Sequence, residues 1–90
     1  MKTTEELIKE VARDVVLLLL KKNKAYGDTA HNPPQIFSKL SAKEGLLARI
    51  DDKLSRIKKL SINHIGSDPM KDESGVDTIR DITGYLILLL

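Results

Sequence analysis

The sequence predicts an all-α fold in which three helices form one small domain over residues 1–90. In three segments, apolar residues recur at intervals of three and four, which is the repeat of a helix with one buried face. The stretches between these segments contain Gly, Pro, Asn and Asp residues, which favour turns. Ninety residues, of which 41% are hydrophobic and 31% charged, suit one ordinary globular core and are too few for two.

The first helix is predicted to begin after Thr3 and to end at about Lys22. Thr3 and Glu6 have the spacing of a capping box, in which two side chains satisfy free amide groups at a helix start. Its apolar stripe contains Leu7, Ile8, Val11, Val15 and Leu18, and is widened by Val16, Leu17, Leu19 and Leu20. Because this stripe covers nearly the whole circumference after Val15, we expect the second half of the helix to be buried on most sides.

A long first loop is predicted over residues 23–34. Gly27, Pro33 and Pro34 lie in this segment, and neither a helix nor a central strand accommodates such residues easily. Loops of about a dozen residues are uncommon in small domains and often carry function.

The second helix is predicted to begin after Ser41 and to end at about Leu60. Ser41 and Glu44 repeat the capping-box spacing. The predicted core stripe consists of Leu46, Leu47, Ile50, Leu54 and Ile57. At about 100° per residue, one flank of this stripe is basic and contains Arg49, Lys53 and Arg56. The other flank contains Glu44, Asp51, Ser55 and Lys58, and a second loop is predicted over residues 61–71.

The third helix is predicted from between Asp72 and Ser74 to the chain end. The face expected to meet the core contains Val76, Ile79, Leu86 and Leu90. A different face carries a ladder of carboxylates, Glu73, Asp77 and Asp81, which we expect to be partly enclosed. Because the last six residues are all apolar, we expect a partner chain to complete the core, so that the chain forms an oligomeric helical bundle.

The composition excludes several functions. A net charge of +2 without a basic block argues against binding to a DNA or RNA duplex, and three aromatic residues without Trp provide no base-stacking platform. The absence of Cys excludes disulfides and thiolate zinc sites. The longest apolar runs are six residues, against roughly 20 for a membrane span, and no signal-peptide pattern precedes them. We therefore expect a cytoplasmic protein that binds no membrane.

Two groups of charged residues are candidates for chemistry. Carboxylates from two facing helices can hold a divalent cation such as Mg²⁺, and the candidate ligands are Asp51, Glu73, Asp77 and Asp81. The alternative is that these carboxylates interact with a helix dipole or with Lys53 and Arg56, and spacing alone favours it. The basic flank of the second helix can clamp phosphate, although such flanks are more often simply solvated.

The first loop contains a third candidate group. Lys24 can contact phosphate, Tyr26 can stack on a base or ribose, and Gly27 allows the backbone to approach a ligand. The alternative, which the sequence does not separate from the first, is that Tyr26 fills the core beneath a turn.

Three blocks, residues 24–28, 48–57 and 73–85, together resemble the nucleotide-modification-associated domain common in phage genomes. That domain is similar to the MazG-like, all-α nucleotide pyrophosphohydrolases. The resemblance covers roughly residues 20 to 90 and implies a dimeric or tetrameric helical bundle. It also implies that bound Mg²⁺ supports the cleavage of a nucleoside triphosphate between its α and β phosphates.

The catalytic pattern of that superfamily is incomplete in this chain. Its first helix pattern, Glu-Glu-x-x-Glu, falls on residues 51–55, and its second, Glu-x-x-Asp, falls on residues 78–81. Ser55 and Thr78 therefore stand where two of the five carboxylates are expected. The resemblance implies Asp77 and Asp81 as the catalytic carboxylates.

The expected function is nucleotide-phosphate binding by a MazG-like helical oligomer, with or without Mg²⁺-dependent pyrophosphohydrolysis. The predicted nucleotide contacts are Lys24, Tyr26, Arg49, Lys53 and Arg56. Two alternatives stay open. One is a non-catalytic phage protein that sequesters a nucleotide or a cyclic-nucleotide defence signal, and the other is a structural or partner-binding helical module.

Overall fold

Three helices make up the architecture in the computed structural model: α1 over Thr4–Tyr26, α2 over Ala42–Asn63 and α3 over Glu73–Leu89. The structure describes residues 1–63 and 73–90, with the side chains of 61–63 and 73 excepted. This part of the chain contains no strand, which confirms the predicted all-α class. The predicted second loop lies outside the described residues, except that 61–63 are helical and continue α2.

Both predicted capping boxes lie at helix starts. The Glu6 amide donates to the Thr3 hydroxyl oxygen at 3.1 Å, ahead of α1. Ahead of α2, the Glu44 amide donates to the Ser41 hydroxyl at 3.2 Å, and the Ser41 amide donates to the Glu44 carboxylate at 3.1 Å. These bonds satisfy amide groups that have no partner within the helix, and the two helices begin where the sequence predicts.

The end of α1 corrects the sequence prediction. The helix continues past Lys22 to Tyr26, because no residue before Gly27 is incompatible with a helix. Gly27 has the left-handed φ of +66°, and its amide donates to the Asn23 carbonyl. The Asp28 amide donates to the same carbonyl at 3.1 Å, which is the pattern of a glycine-terminated helix. Residues 23–26 therefore belong to the end of α1 and not to the predicted loop.

The helix α3 lies in the middle of the fold and packs against both other helices. Against α2, the contacts pair Arg49 with Tyr85 and Lys53 with Asp81. Because the residue numbers rise on α2 as they fall on α3, the two helices are antiparallel. The helix α1 contacts α3 through Lys22 and Asp81, and it is also antiparallel to α3. Within the described residues, the backbones of α1 and α2 do not approach each other, so α3 separates them.

The face of α3 that packs inward is not the predicted one. The buried residues on this helix are Gly75, Thr78 and Gly84. The residues predicted to meet the core are partly or largely exposed: Val76, Ile79, Leu86 and Leu90. This prediction was wrong because it ranked positions by hydrophobicity, whereas close approach of the helices requires small side chains.

Two observations describe the small residues on the inward face of α3. A Cβ atom placed on Gly84 would lie 3.3 Å from the Leu19 Cδ1 atom, so α1 approaches closely at this position. Thr78 is 1% exposed, and its hydroxyl donates to the Ser74 carbonyl at 2.8 Å. Because that hydroxyl has a partner, its burial carries little of the penalty of an unpaired polar group.

The apolar core is small for a chain of this length. The buried hydrophobic residues in the described part of the chain are Val15, Ala30, Leu46 and Ile50. The second half of α1 was expected to be buried on most sides, but Val16, Leu17 and Leu20 are exposed. In the predicted stripe of α2, Leu47 and Leu54 are exposed as well. The physical reason is that α3 covers one side of each neighbouring helix, and no described helix covers the others.

Candidate functional site

The centre of the site is a carboxylate held between two lysines, which we call the Asp81 cluster (Lys22, Lys53 and Asp81). Lys22 on α1 donates to Asp81 Oδ1 at 2.8 Å, and the ammonium of Lys53 on α2 lies 3.3 Å from Oδ2. The Asp81 side chain is 20% exposed. Each carboxylate oxygen thus has one cationic partner, and the cluster connects all three helices.

The pKa values of the cluster follow from these contacts. Burial by itself raises the pKa of Asp81, but hydrogen bonds from Lys22 and Lys53, together with their charges, outweigh burial and lower it. The hydrogen bond to Asp81 raises the pKa of Lys22, against a smaller opposite effect of burial. Asp81 is therefore ionised at neutral pH, and a carboxylate with a lowered pKa is a poor general base.

Arg49 and Tyr85 extend the site by one helical turn. The guanidinium carbon of Arg49 lies 5.9 Å from the centre of the Tyr85 ring, within the range of a cation–π contact. Arg49 precedes Lys53 by four residues on α2, and Tyr85 follows Asp81 by four residues on α3. The same antiparallel register therefore builds both the ion pair and the cation–π contact.

A cleft of about 100 Å³ lies between the end of α1 and this edge of α2 and α3. It is lined by Leu19, Lys22, Asn23, Tyr26, Thr29, Ala30, Arg49, Tyr85 and Leu88. Pockets that enclose a drug-sized ligand usually measure about 300–1,000 Å³. The cleft is therefore large enough for a phosphate group, and too small to enclose a whole nucleotide.

The structure distinguishes between the two predicted roles of Tyr26, which are stacking on a ligand and filling the core. Its side chain lies in the last turn of α1, lines the cleft and is 67% exposed. An aromatic ring with this exposure does not fill the core, so the alternative of a core residue beneath a turn is wrong. The ring remains available for stacking.

Three of the five predicted nucleotide contacts do not line the cleft: Lys24, Lys53 and Arg56. Lys24 is exposed in the last turn of α1, and Arg56 is exposed on α2. Arg56 shares a flank with Arg49 but lies roughly 10 Å farther along the helix axis, since seven residues separate them. The structure thus brings Tyr26 and Arg49 together in the cleft, places Lys53 against Asp81, and leaves Lys24 and Arg56 outside the cleft.

The predicted magnesium ligands do not converge within the described residues. Asp81 is engaged by two lysines, Asp51 is exposed, and Asp77 is 59% exposed with Arg80 at 3.4 Å. The side chain of Glu73 lies outside the described residues. No group of three or more His, Cys, Asp or Glu residues in the described chain is placed to hold a metal ion. The described carboxylates therefore do not form the converging ligand set that the sequence predicts.

The enclosure predicted for the carboxylate ladder therefore holds for Asp81 and fails for Asp77. The reason is position along α3: Asp81 lies between Lys22 and Lys53, whereas Asp77 lies one turn away and forms an exposed pair with Arg80. The predicted alternative, in which a ladder carboxylate pairs with Lys53, is confirmed at Asp81.

Sequence reasoning missed Lys22 and Tyr85 as site residues. A usable signal was present, because Lys22 lies four residues before Tyr26, and Tyr85 lies four residues after Asp81. Residues at this spacing share a helix face. The predicted end of the first helix at Lys22 obscured this signal, because it placed Tyr26 in a loop.

No described helix combines the length and the hydropathy needed to cross a membrane. Comparisons with protein-family models, with curated proteins and with solved structures found no match. The resemblance to the phage nucleotide-modification-associated domain therefore stays a prediction that rests on the three sequence blocks.

Proposed function

We propose that the chain binds a nucleotide through its phosphate groups, at the cleft beside the Asp81 cluster. The observation that carries the proposal is an excess of positive charge at one place. Lys22 and Arg49 line the cleft, and Lys22 and Lys53 flank the carboxylate Asp81 beside it. A partly enclosed site with this excess attracts anions, and phosphate is the anion that lysine and arginine together suit best.

The cationic groups retain donors for a ligand. An ammonium group has three N–H donors, and the contact with Asp81 uses one from each lysine. Arg49 has five N–H donors, and its contact with Tyr85 is through the ring face. Phosphate oxygens can therefore be bound without breaking the Asp81 cluster.

The position of Tyr26 suits the base or ribose of the ligand. Because the cleft accommodates little more than a phosphate group, the rest of the nucleotide lies outside it, next to the exposed Tyr26 ring. Stacking on an aromatic ring tolerates any base. We therefore expect strong dependence of affinity on the presence of a phosphate group and weak dependence on the base.

We propose binding without catalysis, and this geometry favours the sequestration of a linear or cyclic nucleotide. Pyrophosphohydrolysis would require Mg²⁺, for which the described carboxylates form no ligand set. Because the proposed ligand is a nucleotide, we expect this function to take place in the cytoplasm.

A thermal-shift titration of the full chain tests the proposal. The ligands are ATP, AMP, cyclic AMP and adenosine, each with and without Mg²⁺, and every sample is analysed by mass for cleavage. ATP is expected to raise the Tm without Mg²⁺ and to be recovered intact, and adenosine is expected to have no effect. At a ligand concentration of 100 times Kd, the added stability is about 2.7 kcal/mol.

The matched variants are Arg49→Met and Lys53→Met, with Lys59→Met as the control because Lys59 is an exposed lysine of the same helix. The first two are expected to lower the affinity for ATP at least tenfold, and the control to leave it unchanged. The absence of any shift with the phosphate ligands, or equal shifts in all variants, contradicts the proposal. Magnesium-dependent release of monophosphate and pyrophosphate would replace it with the hydrolase.

A further inference from the structure

The segment that follows α1, which we call the His31 turn (residues 28–32), folds back onto the end of α3. Gly27 and Asp28 both have left-handed backbone conformations, and the φ of Asp28 is +59°. Aspartate adopts this conformation more readily than most residues other than glycine. The chain reverses at these two residues, and the Nε2 atom of His31 comes to lie 3.0 Å from the carbonyl oxygen of Leu88.

The His31 turn is held together by contacts of its own. The Asn32 amide donates to the Asp28 carbonyl at 3.0 Å, and the Asn32 side chain donates to Asp28 Oδ2 at 2.8 Å. The Nδ1 atom of His31 lies 3.8 Å from the other oxygen of the same carboxylate. The turn is therefore a compact unit, and its position in the fold depends on what fixes it to the helices.

Within the described residues, one hydrogen bond joins the His31 turn to α3, and it is the bond to Leu88. A carbonyl oxygen only accepts, so the Nε2 atom of His31 carries the proton and donates. The Leu88 carbonyl lies in the last turn of α3, where carbonyls have no amide partner within the helix. The neighbouring Ile87 carbonyl accepts from the Leu90 amide instead. His31 thus satisfies an acceptor that α3 leaves free.

The two sides that this bond joins are both walls of the cleft beside the Asp81 cluster. Thr29 and Ala30 line the cleft from the His31 turn, and Leu88 lines it from α3. Ala30 is 9% exposed, so this part of the turn is packed against the rest of the chain. His31 does not line the cleft. Its bond to Leu88 therefore fixes the distance between two walls that a bound phosphate group would contact.

We propose that His31 is a positioning residue of the cleft. Its hydrogen bond to the Leu88 carbonyl fixes the His31 turn against α3 and so sets the width of the cleft at Thr29 and Ala30. The effect on ligand binding rests on the proposed function, whereas the hydrogen bond itself does not. Groups that form a binding site have to be held within about 0.5 Å of the productive geometry, so loss of the bond weakens binding without removing any group that contacts the ligand.

Three substitutions of His31 in the full chain test this role, with the affinity for ATP measured by isothermal titration calorimetry. His31→Gln places an amide donor at about the reach of Nε2, His31→Asn is the matched control whose amide is one methylene shorter, and His31→Leu has no donor. His31→Gln is expected to bind within about twofold of the wild type. His31→Asn and His31→Leu are expected to bind about fivefold more weakly, the equilibrium value of one hydrogen bond.

The pattern of the three variants distinguishes positioning from a merely structural role. A structural role would lower the Tm of the ligand-free variants and leave the affinity for ATP unchanged. Equal affinities in the wild type and His31→Leu overturn the proposal, and so does an affinity of His31→Gln as low as that of His31→Leu. If the wild type itself binds no phosphate ligand, the proposed function fails and the role of His31 fails with it.

A measurement without ligand or stable variants covers the case in which a substitution unfolds the chain. The His31 ring shares a surface pocket with Leu88 and Leu89. In the nuclear Overhauser spectrum of the ligand-free wild type, cross-peaks are therefore expected between the ring protons of His31 and protons of these two leucines. The ring signals are assigned by their loss in His31→Gln. The absence of these cross-peaks overturns the proposal, whatever the affinities are.

Discussion

The two faces of α3 differ in a way that reverses the usual pattern of an amphipathic helix. The inward face contains Gly75, Thr78 and Gly84, which are buried, and Asp81, which is mostly buried. The outward face contains the larger apolar residues Ile79, Leu86 and Ile87, each more than 40% exposed. Small and polar residues thus form the internal packing of the chain, and large apolar residues form its surface.

This difference shows that two separate requirements act on one helix. The inward face has to let two neighbouring helices approach and has to place Asp81 between two lysines, so small side chains are needed there. The outward face has no such restriction, and its large apolar side chains are exposed. Hydrophobicity alone does not distinguish these requirements, whereas side-chain volume does.

The largest expected effect comes from placing a charge on the inward face. Thr78→Asp buries a carboxylate without a partner and is expected to lower the free energy of unfolding by about 3 kcal/mol or more. Ile79→Asp is the matched control on the outward face and is expected to cost below about 1 kcal/mol. Urea unfolding measures both. Equal losses would mean that the two faces are equally buried in solution, which contradicts the comparison.

A smaller effect is expected at Asp81, the charged residue of the inward face. Asp81→Asn removes the negative charge and one of the two acceptor oxygens that face the lysines, and is expected to cost about 1 kcal/mol at pH 7, a value reduced by the partial exposure of Lys22. Because the folded pKa of Asp81 is lowered, its contribution is complete above the unfolded pKa of about 4 and is lost as the pH falls through the folded value. Because the folded pKa of Lys22 is raised, its contribution is complete below the ordinary value of 10.5 and is lost as the pH rises through the folded value.

The Tm of wild type and Asp81→Asn, measured between pH 3 and pH 11, tests this prediction. The difference between them is expected to be greatest near neutral pH and to shrink at both ends. Asp77→Asn is the control, because Asp77 is one turn away and largely exposed, and it is expected to show a much weaker dependence. A constant difference across the whole range would show that the Asp81 cluster does not form in solution.

The smallest expected effect concerns the cation–π contact at the edge of the inward face. A double-mutant cycle with Arg49→Met and Tyr85→Leu is expected to give a coupling energy of about 0.5 kcal/mol, as is typical of an exposed pair. Thermal or urea unfolding of the four proteins measures it. A coupling energy indistinguishable from zero would show that the contact makes no contribution and that Tyr85 only lines the cleft.

Local sequence signals predicted the starts of α1 and α2 correctly, because a capping box involves residues three positions apart and no distant contact. The end of α1 was mispredicted, although Gly27 marked it, because the residues before Gly27 were assigned to the loop that follows. In the candidate site, Arg49 and Lys53 were recognisable from their shared flank on α2. Lys22 was not, because its partner Asp81 lies 59 positions away in the sequence.

The sequence by itself determined that the chain is helical and where two helices begin. These properties depend on hydrogen bonds within a few residues and on composition. Tertiary structure alone decided which face of α3 packs inward and which of the carboxylates is enclosed. The reason is that both depend on the rotation and register of α3 between its neighbours, and these follow from where Gly84 and Thr78 allow the helices to approach.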